Sequence, residues 1–428
     1  MNETTRNRRD FLQNIAITLL SLSAVVLFVQ SQLHLLGSAS SFFDLFAPPA
    51  PQSEYTAASS LSVPVQAAVT GAYGRYGTVT ATTADEEFQP LAHLLGNALR
   101  SAETFTQTAE QAFLDAVRTP SVFYDFRTAL PLPLLASMTD AVSSASVSAR
   151  QLVIVAAEDG VDLLLQDGEG TYLRSRTDLA AQTLEETLNY YELGNARFAM
   201  DLSASAPAAE TLSPCSLLPD TIPVLPTLNS SVPYTSEDTQ LLSAFQFNPN
   251  TKFRYTDSSG TEFIEENGRT LHLHPNGTVY YQDSTDSASL RIKSAAARPT
   301  LTEAAEGTAS LLRTLLADSV GEASLYLQTV EETENSFVLT FGYQAHGVPI
   351  RFSDGGNAAV VTLTGSSVSK ITLRLQRYTS TGSSSLILPV QQVLAIAESN
   401  SRADLSISYA DSGTGVISAG WLLDQITD

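Results

Sequence analysis

Nineteen consecutive residues, Phe11 to Val29, carry no charge, and Arg6, Arg8 and Arg9 stand just before them. This layout divides the chain into a part suited to lipid and a part suited to water. At about 1.5 Å of rise per residue the segment reaches about 29 Å as a helix, close to the roughly 30 Å hydrocarbon core of a bilayer. Basic flanks stay cytoplasmic. The expectation is a cytoplasmic tail (1–10), a transmembrane helix (11–31), a juxtamembrane linker (32–60) and an extracytoplasmic remainder. The protein would then be a single-pass cell-membrane protein with a cytoplasmic N-terminus. A cleaved leader is the alternative, with Gly37, Ser38 and Ala39 as its small-residue site. Leaders have apolar stretches of about 7–15 residues, whereas here apolar character runs on to Leu33, Leu35 and Leu36.

Within the span, Asn14, Thr18 and Ser21 are four and three residues apart and share one helix face. Small and polar residues on one face of a membrane helix favour contact with a second helix, so these three are the candidate partner-helix contacts. The competing view is that serine and threonine are tolerated in any single span.

The net charge of −22, with lysine only at Lys252, Lys293 and Lys370, argues against a nucleic-acid or an anionic-membrane surface, since both need clustered cations. The sole cysteine, Cys215, allows no internal disulfide, so the outer domains must be held by core packing.

Along the remainder, Leu61 to Thr83 has strand character. Gln89 to Val117 repeats apolar residues at helical steps and predicts one long helix, stopped by Thr119-Pro120. A short strand (Val122 to Phe126) and a helix (Leu132 to Val142) follow. Gln151 to Ala157 and Val161 to Gln166 read as a hairpin around Asp159-Gly160, with a helix from Leu179 to Tyr191 and a strand from Phe198 to Leu202. Residues 203–233 hold six prolines, which predicts an extended crossing without regular elements. Four strands, Lys252–Tyr255, Thr261–Ile264, Thr270–Leu273 and Thr278–Tyr281, are joined by Ser259-Gly260, Asn267-Gly268 and Asn276-Gly277, and Asn-Gly supplies the two positive φ angles of a tight hairpin. Thr300 and Glu303 form a capping-box signature before a helix that Gly321 ends. Strands Ala323–Val330, Phe337–Ala345, Ala358–Leu363 and Ser369–Arg377 come next, the last with Ile371, Leu373 and Leu375 inward and Thr372, Arg374 and Gln376 outward. A short helix and two closing strands finish the chain. The fold class expected is α+β, with antiparallel sheets and helices in an elongated multi-domain region: a first domain (61–147), a second (148–290) containing the proline-rich crossing, and a C-terminal domain (298–428).

Catalytic signatures are thin. There is no G-x-S-x-G elbow and no S-x-x-K set. Cys215 lies in the proline-rich segment with no base marked nearby. His272 and His274 alternate with Leu271 and Leu273, so their rings share one strand face; a third zinc ligand is not marked by spacing, and a solvent-facing polar face is the plainer reading. His93 sits beside a leucine stripe on a helix. No catalytic, cofactor or metal residue is therefore assigned.

Several segments are similar to the YycH family and its relative YycI, extracytoplasmic regulators of the WalK (YycG) sensor kinase of low-GC Gram-positive bacteria. The residues that carry the likeness are the arginine-flanked Phe11–Val29; Val122-Phe123-Tyr124-Asp125-Phe126 with Leu130-Pro131-Leu132-Pro133-Leu134-Leu135; Phe247-Asn248-Pro249, Glu265 to Leu271 and Pro275 to Tyr281; Phe341-Gly342-Tyr343 with Gly347-Val348-Pro349; and Leu388-Pro389 with Leu405 to Trp421. A departure is that the family's closing P-x-W reads Ala419-Gly420-Trp421. The resemblance implies a three-part outer body and a non-catalytic regulator that joins a sensor histidine kinase, with a sister regulator of the YycI type, through membrane helices and outer domains. The alternative functions are an extracytoplasmic ligand-binding or envelope-sensing module and, less favoured, a surface hydrolase.

Overall fold

The structure, a computed structural model, describes residues 61–425 except 203–206, 234–238, 286–288, 295, 397–402 and 414. The expected span Phe11–Val29, with Asn14, Thr18 and Ser21, lies outside the described residues. Among the described residues no helix is long and apolar enough to cross a membrane.

The protein is α+β, with mostly antiparallel sheets and few helices. The first sheet comprises β1 (Pro64–Thr70), β2 (Tyr76–Thr82), β3 (Thr106–Gln107), β4 (Ser121–Pro131), β5 (Ser148–Ala157), β6 (Gly160–Gln166), β7 (Tyr172–Thr177), β8 (Ala196–Phe198) and β9 (Leu217–Pro219), in the order β3-β7-β6-β5-β4-β1-β2-β8-β9. Its central strands β1, β4, β5 and β6 are largely buried on both sides because both faces are covered there. On one face α1 (Gln89–Ser101) sets Leu91, Leu94 and Leu95 into a core with Val65, Tyr124, Ile154 and Leu163. On the other, α2 (Glu110–Arg118) packs Phe113 and Val117 in a cluster with Phe123, Val153 and Leu164. The run Leu163-Leu164-Leu165 is buried throughout for that reason.

The single helix expected over Gln89–Val117 is two. The chain leaves α1 in extended conformation at Ala102, runs along the sheet edge as β3, and starts α2 after the extended Ala109. One continuous helix could not serve both faces of the sheet. The helix expected from Leu132 to Val142 is only α3 (Leu132–Ser137), and that from Leu179 to Tyr191 is α4 (Ala181–Leu188). Phe198–Leu202 is not a strand: β8 ends at Phe198 and a helical turn, α5 (Ala199–Leu202), follows. The proline-rich crossing does hold regular structure, β9 and β10 (Pro226–Ser231), with Pro219 and Pro226 at strand ends where a missing N–H is tolerated.

After α6 (Thr239–Ala244), the second sheet begins with the meander β11 (Arg254–Thr256), β12 (Glu262–Glu266), β13 (Arg269–Leu273) and β14 (Thr278–Asp283). It then recruits, beyond α7 (Leu301–Leu316), β15 (Ser324–Glu332), β16 (Ser336–Ala345), β17 (Val348–Phe352), β18 (Ala359–Thr364) and β19 (Ser367–Arg374). β20 (Arg377–Ser384), α8 (Val390–Ile396), β21 (Ala403–Asp411), β22 (Gly415–Ile417) and β23 (Ala419–Gln425) complete the order. β10, β20 and β22 form a separate three-stranded sheet. At Asn267-Gly268 both φ angles are positive, as expected, but at Asn276-Gly277 only Gly277 is, so that joint is a longer loop closed by Gly277 N–H donating to the His274 carbonyl at 2.9 Å. The capping box forms: Glu303 N–H donates to Thr300 Oγ1 at 3.2 Å and Thr300 N–H to Glu303 Oε2 at 2.9 Å.

One face of the second sheet is packed under α6 and α7. The other stays open, with Tyr255, Phe263, His272, Tyr280, Thr372, Val360 and Thr340 cross-strand neighbours in one row. Gln376 breaks the expected outward pattern: it is buried, donating through Nε2 to Ser230 Oγ at 2.6 Å and to the Gly413 carbonyl.

Hydrogen-bonded ladders cross the expected domain divisions. β4 pairs with β5 across 147/148, and β14 pairs with β19 across 290–298. One continuous core cluster holds residues of both large sheets, and α3 packs against α7.

Candidate functional site

A buried charge cluster lies where the two large sheets meet. It starts from an irregularity in β4, whose pairing with β5 is interrupted between Asp125 and Leu130. Asp125 Oδ1 accepts from the Arg127 N–H at 2.7 Å and holds Arg127 at φ 66°, a conformation uncommon for a residue with a Cβ. Such a bulge re-aims side chains. The Arg127 guanidinium donates to Gln66 Oε1 at 2.5 Å, and Gln66 Nε2 donates to the Leu217 carbonyl at 3.2 Å.

Behind Arg127 lies a cluster shared by the two sheets. Arg150 of β5 pairs with Asp404 of β21, and its Nη2 stands 3.6 Å from Asp125 Oδ2. Gln151 Nε2 donates to the same Asp125 oxygen at 3.0 Å, and Ser216 Oγ donates to Asp404 Oδ1 at 3.4 Å. Burial alone would raise the Asp125 carboxyl, but Arg150, then Arg127, and the hydrogen bonds from the Arg127 backbone and Gln151 hold it below its ordinary value. Burial likewise disfavours the charged Arg150, yet Asp125 and Asp404 more than offset this and raise it. Both groups therefore stay ionised at neutral pH. General acid–base catalysis needs a group that titrates near the operating pH, so the cluster is suited to holding the sheets together rather than to moving protons.

The cleft in front of it measures about 170 Å³. Val65, Gln66, Thr80 and Arg127 line it from the first sheet, and Val348, Pro349, Leu405, Ile407 and Trp421 from the second. Val224, next to Pro223 of the lining, is 82% exposed and Leu386 is 90% exposed; the Ser385 N–H donating to the Leu225 carbonyl brings their two segments together.

The residues singled out from sequence fall elsewhere. His272 lies on the open face with its ring centroid 4.6 Å from Phe263, and burial and the neighbouring His274 lower its imidazole below the ordinary value. His274 Nδ1 is 3.2 Å from Thr261 Oγ1, and its ring meets Tyr280 edge-on. Among the described residues no group of three histidine, cysteine or acidic side chains could hold a metal ion. Cys215 is buried in the cluster around Phe198 and Phe123, a packing position, and His93 is exposed on the outside of α1. Sequence reasoning missed Asp125, Arg127, Arg150 and Asp404. The available signal was charge inside otherwise apolar strand segments, such as Asp125 within the run Val122–Phe126.

No family model matches the chain, and neither a curated protein nor a solved structure matches it.

Proposed function

We propose that this chain is a membrane-anchored, non-catalytic regulator of a cell-wall-sensing histidine kinase of the WalK (YycG) type. In this reading Phe11–Val29 crosses the membrane once with the N-terminus cytoplasmic, and Asn14, Thr18 and Ser21 meet a kinase helix. The folded body outside makes further contacts with the kinase or with a sister regulator of the YycI type. No catalytic residue, cofactor or metal is assigned.

The observation that carries the reading is a convergence. The segments on which the family resemblance rests are far apart in sequence, yet Gly347–Pro349 and Leu405–Trp421 contribute Val348, Pro349, Leu405, Ile407 and Trp421 to one inter-sheet cleft, and Arg127, between Val122–Phe126 and Leu130–Leu135, joins them there. Asp125, from Val122–Phe126, and Asp404, the residue just before Leu405–Trp421, share Arg150 behind it. Exposed Val224, beside Pro223 of the cleft lining, and exposed Leu386 add apolar surface of the kind that supports protein contact.

A ligand-binding module is the second reading, favoured by Arg127 in the cleft wall. Size weighs against it: about 170 Å³ is well under the roughly 300–1,000 Å³ of small-molecule sites. The test is replacement of Asn14, Thr18 and Ser21 together by leucine in the full chain. The expected result is loss of kinase co-purification and of any change in kinase autophosphorylation, with unaltered thermal unfolding of the outer body. Undiminished co-purification would refute the helix contact.

A further inference from the structure

Acidic residues outnumber basic ones 45 to 23 in this chain, yet three arginines converge on one open groove of about 530 Å³ at an end of the first sheet. Arg75 comes from the β1–β2 hairpin, Arg118 from the last turn of α2 and Arg197 from β8. Each is held by the protein. Arg118 Nε stands 3.3 Å from Asp201 Oδ1, and the other Asp201 oxygen accepts from the Tyr76 hydroxyl at 2.7 Å. Arg197 Nε stands 3.3 Å from Asp220 Oδ1, and the Asp220 N–H donates to the Asn195 carbonyl at 2.7 Å. Arg75 Nη2 donates to the Leu193 carbonyl at 3.2 Å and lies across Gly194, where a Cβ would stand 2.6 Å from it. Gly194 has φ 96°, so both its backbone and its missing side chain permit the arginine to lie there.

We infer that this groove binds a phosphate group, as a free phosphate ester or as a lipid headgroup. Three guanidiniums against two carboxylates leave one positive charge in the groove of a chain that carries −22 overall. A guanidinium has more N–H donors than these contacts occupy, and its planar fork matches phosphate oxygens. Asp201 and Asp220 bind the Nε edges and so fix the orientation of Arg118 and Arg197. Three donors from separate elements suit a tetrahedral group with several oxygens better than a flat carboxylate.

The full-length chain in non-ionic detergent would be titrated calorimetrically with inorganic phosphate, glycerol 1-phosphate, water-soluble dihexanoyl-phosphatidylglycerol and, as a control, acetate. The site predicts saturable binding of the phosphates and at least tenfold weaker binding to the Arg118→Gln/Arg197→Gln double variant. Arg75→Gln, on an exposed side chain, serves if the double variant does not fold. Asp201→Asn separates a built site from a merely positive patch. It removes a negative charge but releases Arg118, so the inference expects weaker binding, and tighter binding would overturn it. Acetate binding as tightly as phosphate would also overturn it. Tenfold preference for the phosphatidylglycerol supports a lipid headgroup, and equal binding of the two esters supports a free phosphate ester.

Discussion

Arg150→Met is the most informative single change in the folded body. Arg150 is the cation that Asp125 of the first sheet and Asp404 of the second both use. Asp125 is 4% exposed and Asp404 7%, so the substitution leaves two nearly buried carboxylates, with Arg127 4.0 Å from Asp125 as the nearest remaining cation. Removing one partner from a buried ionic cluster costs about 3–5 kcal/mol. For a unit of roughly 370 residues the unfolding entropy is about 0.8 kcal/mol/K, which converts that cost to a fall of about 4–6 °C in the melting temperature. The pH dependence should change with it. In the native protein the Asp125 pKa is lowered, so its contribution is present above the unfolded-state value near 3.9 and is lost as pH falls through the lowered folded value. In Arg150→Met the largest lowering influence on Asp125 is gone, so its folded value moves up from the native one. The variant's deficit should then be largest at pH 7 and shrink towards pH 4. Adding Asp125→Asn and Asp404→Asn should recover most of the loss, because neutral amides carry no buried charge. Thermal unfolding by circular dichroism from pH 4 to 7 measures all three proteins. A single variant within about 1 kcal/mol of the parent, or one whose deficit does not change with pH, would refute the reasoning.

Thr300→Ala removes the hydroxyl that caps α7 and should cost about 1 kcal/mol in urea unfolding, while Thr300→Ser should restore it. Gly321→Ala places a Cβ 2.2 Å from the Tyr378 carbonyl at φ 69°, and a loss of about 2 kcal/mol or more is expected in the same assay. Val224→Asp and Leu386→Asp alter fully displayed side chains, so stability should stay within about 0.5 kcal/mol of the parent while kinase co-purification weakens.

Much of the local structure was legible in the sequence because it is set by chemistry only a few residues long. Asn267-Gly268 dictates its turn, Thr300 and Glu303 dictate the start of α7, and the alternation Ile371, Leu373 faces the core as read. What was lost depends on partners far away in the chain. Helical spacing ran unbroken from Gln89 to Val117, but nothing local marked that Leu91 and Phe113 serve opposite faces of one sheet. Gln376 looks like a solvent-facing strand residue until Ser230 and Gly413 are brought beside it. The cleft was illegible for the same reason. Arg127, Arg150 and Asp404 become a site only through pairing between residues up to 254 apart, and no spacing rule reaches that far.

Helix-to-helix contact in the membrane is the central claim, and photo-cross-linking tests it most directly. A photoreactive residue in place of Thr18 of the full chain, irradiated in intact membranes, should yield an adduct whose second component is a sensor histidine kinase, and one placed on the opposite helix face should not. Adducts formed equally from both faces, an adduct without a kinase, or recovery of the mature chain from the medium with Phe11–Val29 removed would contradict the account.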